Sequence, residues 1–276
     1  MKTTREILKE YGYKAKKSRG QNFLVKEGIL RRICDSADIK SGETIVEIGP
    51  GPGNLTSRLV KRADHVVAIE SDPELCSILK AELPAANLEI RNEDVLNADF
   101  AGLFERYGKL KIIANLPYNI TTPVLFKVLD DYRIWNELLL LVQLEVAERV
   151  TAAPGSKAYG VLAARVGLLA DSEVLFQVPP DAFRPRPKVT SALIRLRLLD
   201  TPRADIELSL YRHTVRAAFS SKRKTILNSL TGSGEFSRQA AGRALQAAGI
   251  DPGRRAETVS VEEFANLGKA LAGEED

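Results

Sequence analysis

From residue 43 the chain alternates short apolar runs with stretches of helical period. Residues 44–48, 65–69, 87–91, 110–114 and 137–142 read as strands, with helices expected over 54–61, 73–82 and 121–129. The run Leu138-Leu139-Leu140-Leu141-Val142 is apolar at every position, as a strand buried on both faces requires. Ahead of this alternation, helices are expected over 3–11 and 27–37. Beyond it, 145–150 and 161–169 read as helices, and 173–178 and 190–198 as strands that pair antiparallel at the sheet edge. Between those last strands, the proline-rich segment 179–187 predicts a stiff extended loop. Thr201-Pro202 marks a boundary, after which only helical patterns remain, over 208–219, 224–230, 238–248 and 261–272. This rhythm predicts an α/β, doubly wound, mostly parallel sheet over residues 1–200 and a small all-helical domain over 201–276.

Composition narrows the class. Apolar runs are too short to span a bilayer, and the polar N-terminus lacks a secretory signal, so a cytoplasmic protein without a membrane partner is expected. Two cysteines without ligand spacing and two histidines argue against zinc, against any other metal centre and against His-based catalysis. The net charge of +4 is unevenly spread: residues 1–26 carry +6, 27–180 carry −6 and 181–276 carry +4. Basic ends around an acidic middle suggest a polyanion gripped by the flanks of a catalytic body.

Two turns carry candidate chemistry. Asn115-Leu116-Pro117-Tyr118 follows the expected strand 110–114, where an open α/β sheet presents its ligand crevice. It offers an amide carbonyl, backbone carbonyls and an aromatic face, which suits holding an exocyclic amine beside a stacked base. The tetrapeptide alone fits a tight turn with a buried Tyr equally well. Glu47-Ile48-Gly49-Pro50-Gly51-Pro52-Gly53 lies between a strand and a helix, where nucleotide-like cofactors bind. A pyrophosphate needs amide N–H donors, yet Pro50 and Pro52 have none, and Glu47 adds negative charge. A cationic, phosphate-free ligand suits the loop better, and S-adenosylmethionine (SAM) is that ligand. Glu70 ends the next strand, where it can accept ribose hydroxyls, and Asp94 follows the third, where it can accept from an adenine amine.

The chain resembles the KsgA family of small-subunit rRNA adenine N6,N6-dimethyltransferases nearly end to end. The resemblance lies in Gln21-Asn22-Phe23-Leu24, the glycine loop 47–53, the turn 115–118, the segment 183–192, Phe219-Ser220-Ser221-Lys222-Arg223-Lys224-Thr225 and Arg255-Ala256-Glu257-Thr258. Leu144, where the family usually carries a basic residue, and Lys222, where Arg is commoner, depart from its pattern. The resemblance implies a seven-stranded class I SAM-dependent methyltransferase fold and a helical RNA- or ribosome-binding domain. It implies that Asn22 and Leu24 close over SAM, that Gly49 and Gly51 line its methionine end, and that Glu70, Asp94 and Asn115 hold it. The substrate implied is a pair of adjacent adenosines in the terminal hairpin loop of 16S-type rRNA, within an assembling 30S-type particle and met by a monomeric enzyme.

On this reading Asn115 and the Leu116 carbonyl accept the two N6 hydrogens, Pro117 fixes the turn, and Tyr118 and Phe183 stack on opposite faces of the base. A target base must leave its stack to reach such a pocket, which favours a loop. Lys16, Lys17, Arg19, Arg216, Lys222, Arg223 and Lys224 are the candidate phosphate contacts. Three rivals remain: a methyltransferase acting on large-subunit rRNA, an assembly factor using the fold without catalysis, and a dinucleotide-dependent oxidoreductase.

Overall fold

Thr3 starts α1 (Thr4–Glu10) through a capping box shared with Glu6. The computed structural model describes residues 2–16 and 20–273. After α1 come β1 (Phe23–Leu24), α2 (Glu27–Ser36), β2 (Thr44–Ile48), α3 (Thr56–Leu59), β3 (His65–Glu70), α4 (Pro73–Glu82) and β4 (Leu88–Asn92). The alternation continues through α5 (Phe100–Tyr107), β5 (Leu110–Asn115), α6 (Thr121–Asp130) and β6 (Trp135–Gln143). Then follow α7 (Leu144–Val150), α8 (Val161–Leu169), β7 (Ala170–Val178), β8 (Phe183–Arg184) and β9 (Ser191–Leu198), and finally α9 (Leu208–Ala218), α10 (Ile226–Gly232), α11 (Arg238–Ala247) and α12 (Val261–Ala272).

Seven strands form one sheet in the order β4-β3-β2-β5-β6-β9-β7. The neighbours from β4 to β6 run parallel, and β9 runs antiparallel to β6 with Ser191 opposite Gln143. Every residue of β2 is buried, the polar Thr44 and Glu47 included, and Leu138 to Val142 of β6 are buried without interruption, which accounts for the apolar character of that run on both faces. Parallel registry brings Ile48, Glu70, Asn92 and Asn115 to the same edge, since Ile48 faces Ile69 and Glu70 faces Asn92. Two features escape the pattern reading. α5 has Asp99 as its cap and buries Phe100 and Leu103, and Gly108 ends it at φ 71°. Phe23–Leu24 pairs antiparallel with Phe183–Arg184, so part of the expected loop 179–187 is a strand.

The chain divides into two compact units, Met1–Ala147 with Glu173–Leu198, and Glu148–Ser172 with Leu199–Asp276. The second begins near the expected boundary at 200, but it also takes residues 148–172, assigned to the first domain on sequence. The cause is α8. Its interior-facing residues are apolar on nearly every side, its Ala164 carbonyl accepts the Tyr211 hydroxyl at 3.0 Å, and its Leu169 carbonyl accepts the Leu199 amide. Within this unit α9 and α12 cross closely at Gly268, where an added Cβ would stand 2.9 Å from Thr214 Oγ1.

At the end of the sheet away from Asn115, a charged cluster fixes α2. Lys111, buried on β5, donates to the Ala37 carbonyl at 3.0 Å and pairs with Glu43 at 2.9 Å and Glu137 at 3.8 Å. Arg195 on β9 donates to the Ser36 carbonyl at 2.6 Å and also pairs with Glu137. These cations satisfy carbonyls that the end of α2 leaves open. Lys111→Ala strands the part-buried Glu43 carboxylate and the Ala37 carbonyl, while Glu137 keeps Arg195, so denaturant unfolding should show a loss of about 3 kcal/mol or more. A loss below about 1 kcal/mol would mean that solvent already screens the cluster.

Candidate active site

The strand ends and their following turns enclose a cleft of about 140 Å³, lined by Ile48, Gly49, Ile69, Glu70, Ser71, Glu93, Asp94, Val95, Pro117, Asn119 and Ile120. Its fit to a ligand follows from which backbone donors remain. Gly49 N donates to the Ile69 carbonyl, Gly51 N to Glu70 Oε2 and Gly53 N to the Pro50 carbonyl. With Pro50 and Pro52 lacking an N–H, the loop keeps few donors for a phosphate. Glu70 is held from two sides, by Gly51 N at 3.2 Å and by Asp72 N at 2.9 Å, and its carboxylate lines the cleft. Asp94 is exposed and uses Oδ1 to cap the turn Val95–Asn97, so Oδ2 remains for a ligand. Fixed carboxylates and a donor-poor loop fit the cationic SAM and disfavour a dinucleotide.

Glu47 does not line the cleft. It is buried beneath the loop, 2% exposed, and burial pushes its carboxyl up to about 8, with Thr56 opposing the shift and the nearby Glu70 charge adding to it. Its charge therefore does not stand beside a bound phosphate, and it is the committed amides of the loop that disfavour one.

An N-terminal strap crosses the turn at Asn115. Gly51 has φ 57° and an added Cβ there would stand 2.9 Å from the Phe23 ring; Gly20 has φ 64° and its Cβ would stand 2.8 Å from Asn119 Oδ1. Asn22 Nδ2 donates to the Gly20 carbonyl at 3.1 Å, and the Asn22 carbonyl accepts Asn115 Nδ2 at 3.0 Å. The Asn115 amide nitrogen is thus engaged, and Oδ1 is its free acceptor. Pro117 packs 3.5 Å from the position of a Cβ on Gly49 and anchors the turn through its carbonyl, which accepts the Ile120 amide and the Thr121 hydroxyl. The buried Leu116 donates its amide to the Leu141 carbonyl. Half-buried Tyr118 is oriented by a 2.8 Å hydrogen bond between its hydroxyl and that of buried Ser191, and burial pushes its phenol up.

Several expected roles change. Phe183 is fully buried in the apolar cluster with Leu24, Val178 and Leu193, because β8 pairs with the strap, so its ring offers no open stacking face here. Leu24 is 3% exposed, and its carbonyl is taken by Asn54 Nδ2 at 2.6 Å; its part is to seat the strap. Lys16 pairs with the buried Asp72 at 2.8 Å instead of standing free for phosphate. Lys17 and Arg19 lie outside the described residues. Arg216, Lys222, Arg223 and Lys224 are exposed on the helical unit, at the end of α9 and in the turn after it. Glu93, Asn119 and Ile120 line the cleft though sequence reading missed them; Glu93 neighbours the chosen Asp94, and the other two follow the chosen turn.

The fold and this cleft define a class I SAM-dependent methyltransferase. A family model for ribosomal RNA adenine dimethylases matches residues 12–273, and the chain belongs to that family. Its relatives include proteins named ribosomal RNA small subunit methyltransferase A. The one from Alkaliphilus oremlandii is 43% identical over 98% of this chain and 96% of its own length, and the one from Bacillus mycoides is 42% identical over 97% and 95%. Among solved structures, a dimethyladenosine transferase from Plasmodium falciparum has a TM-score of 0.76 at 26% identity, covering 92% of this chain and 98% of that one. The 23S rRNA methyltransferase ErmE has a TM-score of 0.67 at 28% identity, covering 91% and 100%.

Glu47 generates a pH prediction. Its folded pKa stands above the unfolded one, so its contribution to stability is complete below about 4.5 and is lost as pH rises toward 8. In urea unfolding without cofactor, Glu47→Gln should remove a decline of stability across that window. An identical decline in both proteins would locate the titration elsewhere.

Proposed function

We propose that this chain transfers methyl groups from SAM to N6 of two adjacent adenosines in the terminal hairpin loop of small-subunit rRNA, giving N6,N6-dimethyladenosine during subunit biogenesis. The observation that carries the mechanism is the engaged Asn115 nitrogen, which leaves a carbonyl oxygen to face the target amine. An adenine N6 lone pair is delocalised into the ring and is a poor nucleophile. Asn115 Oδ1 and the Leu116 carbonyl accept the two N6 hydrogens, favour a pyramidal nitrogen and aim its lone pair. Tyr118 stacks on one face of the base, with Ser191 setting the plane of its ring. Glu70 would hold the ribose, Asp94 the adenine, and Gly49 the methionine end of SAM; Gly51, expected beside it, gives its amide to Glu70 and packs on Phe23, and so would support the loop from behind. Bound SAM supplies the electrophilic methyl on its sulfonium. Positioning then does most of the work and can contribute roughly 7–11 kcal/mol.

The substrate is rRNA, met in an assembling 30S-type particle in the cytoplasm by a monomer. The unit of residues 1–147 and 173–198 carries the chemistry, and the helical unit contributes phosphate contacts through Arg216, Lys222, Arg223 and Lys224. No helix among the described residues is long and apolar enough to cross a membrane. The likeness to ErmE favours a second reading, methylation of large-subunit rRNA. The small-subunit reading is preferred because relatives above 40% identity, matched over nearly their whole length, carry that name.

Radiolabelled methyl incorporation into under-methylated small and large subunits tests the choice: label should appear in small-subunit dimethyladenosine, and label confined to large subunits would reverse it. Asn115→Ala should lower kcat by about 100-fold or more, far more than it weakens SAM affinity. Equal losses in rate and affinity would remove Asn115 from the acceptor role.

A further inference from the structure

The Glu70 carboxylate, which lines the cleft, and the Asn115 amide, on the turn beside it, are joined by a chain of protein groups. Asp72 donates its amide to Glu70 Oε1 at 2.9 Å and caps α4 with Oδ1, through the Glu74 amide. Its Oδ2 lies 3.0 Å from the Tyr13 hydroxyl and 2.8 Å from Lys16 Nζ. Burial opposes ionisation of Asp72, yet the Lys16 and Tyr13 hydrogen bonds hold its carboxyl below the usual range. The Tyr13 hydroxyl also lies 2.9 Å from Gln21 Oε1, which accepts the Lys16 amide at 2.7 Å. Gln21 directly precedes Asn22, whose carbonyl holds Asn115. Tyr13 is 5% exposed, and its ring packs with Ile7, Phe23, Leu75 and Ile78. Phe23 in turn sits against Gly51 of the cofactor loop.

We infer that Tyr13 is a positioning residue for methyl transfer, whose hydroxyl registers the N-terminal strap against α4 so that the Asn22 carbonyl keeps Asn115 Oδ1 facing the target amine. Tyr13 touches neither substrate nor cofactor; it acts through Gln21 and Asn22. Its hydroxyl is shared between two oxygens, one on the strap and one on α4. Removing it loosens the register of the strap without emptying the apolar cluster. The inference rests on the acceptor role proposed above for Asn115.

Tyr13→Phe keeps the ring and deletes the O–H. With the full chain, labelled SAM and under-methylated small subunits, kcat should fall about tenfold, while KM for SAM stays within about twofold and Tm within about 2 °C. Gln21→Ala should give the same signature, and the double variant should lose little more than either single one, because both act on one register. An unchanged kcat, a matching rise in KM for SAM, a large drop in Tm or additive losses would each overturn the inference. If the wild type fails on small subunits, the functional reading fails independently, and a crystal structure of Tyr13→Phe still decides this point. Asn115 Nδ2 should then be detached from the Asn22 carbonyl; an intact bond would refute the relay.

Discussion

The hydrogen bond from Asn115 Nδ2 to the Asn22 carbonyl decides what this cleft can do. A side-chain amide can present either a donor or an acceptor, and the two ends differ little in size. A target amine requires the acceptor. By engaging the nitrogen with a backbone carbonyl, the strap fixes the choice before any substrate arrives. That preorganisation is what an enzyme relying on orientation needs, because a freely flipping amide would lose part of its effect.

The remaining structure serves to hold that pair in place. Parallel strands deliver Glu70 and Asn115 to one edge of the sheet, and the glycine loop allows the strap to approach closely. Gly51 faces Phe23 and Gly49 faces Pro117, so the cofactor loop, strap and target turn pack as one body. Lys111 and Arg195 fix the far end of α2, the helix that follows the strap. Ser191, the first residue of β9, orients Tyr118 from the other side.

The sheet was legible because its strands are buried on both faces, which leaves runs of consecutive apolar residues; Leu138 to Val142 of β6 are such a run, and β2 is one interrupted by the buried Glu47. The β1–β8 pair was not, since two residues have no period to read. α5 carried a readable signal in Asp99, Phe100, Leu103 and Gly108, masked by the loop-like Asn92-Glu93-Asp94 before it. Residues 161–169 were legible as a helix but not by partner, and the place of α8 in the helical unit comes from its bonds to Tyr211 and Leu199. At the site, Glu70, Asp94 and Gly49 stood out by their position after strands, and the cleft brings them together. Lys16 and Phe183 misled for one reason. A cation and an aromatic ring look available until a partner distant in sequence engages the one, as Asp72 pairs with the still part-exposed Lys16, or buries the other, as the Leu24 strand covers Phe183.

A crystal structure of the chain with a SAM analogue and a short adenosine-containing RNA tests the central claim most directly. The account predicts the position of the transferable carbon on the same side of the turn as Asn115 Oδ1, with the target N6 between the Asn115 and Leu116 oxygens. A reactive carbon turned away from that turn, or an Asn115 amide rotated to present its nitrogen to the base, would contradict it.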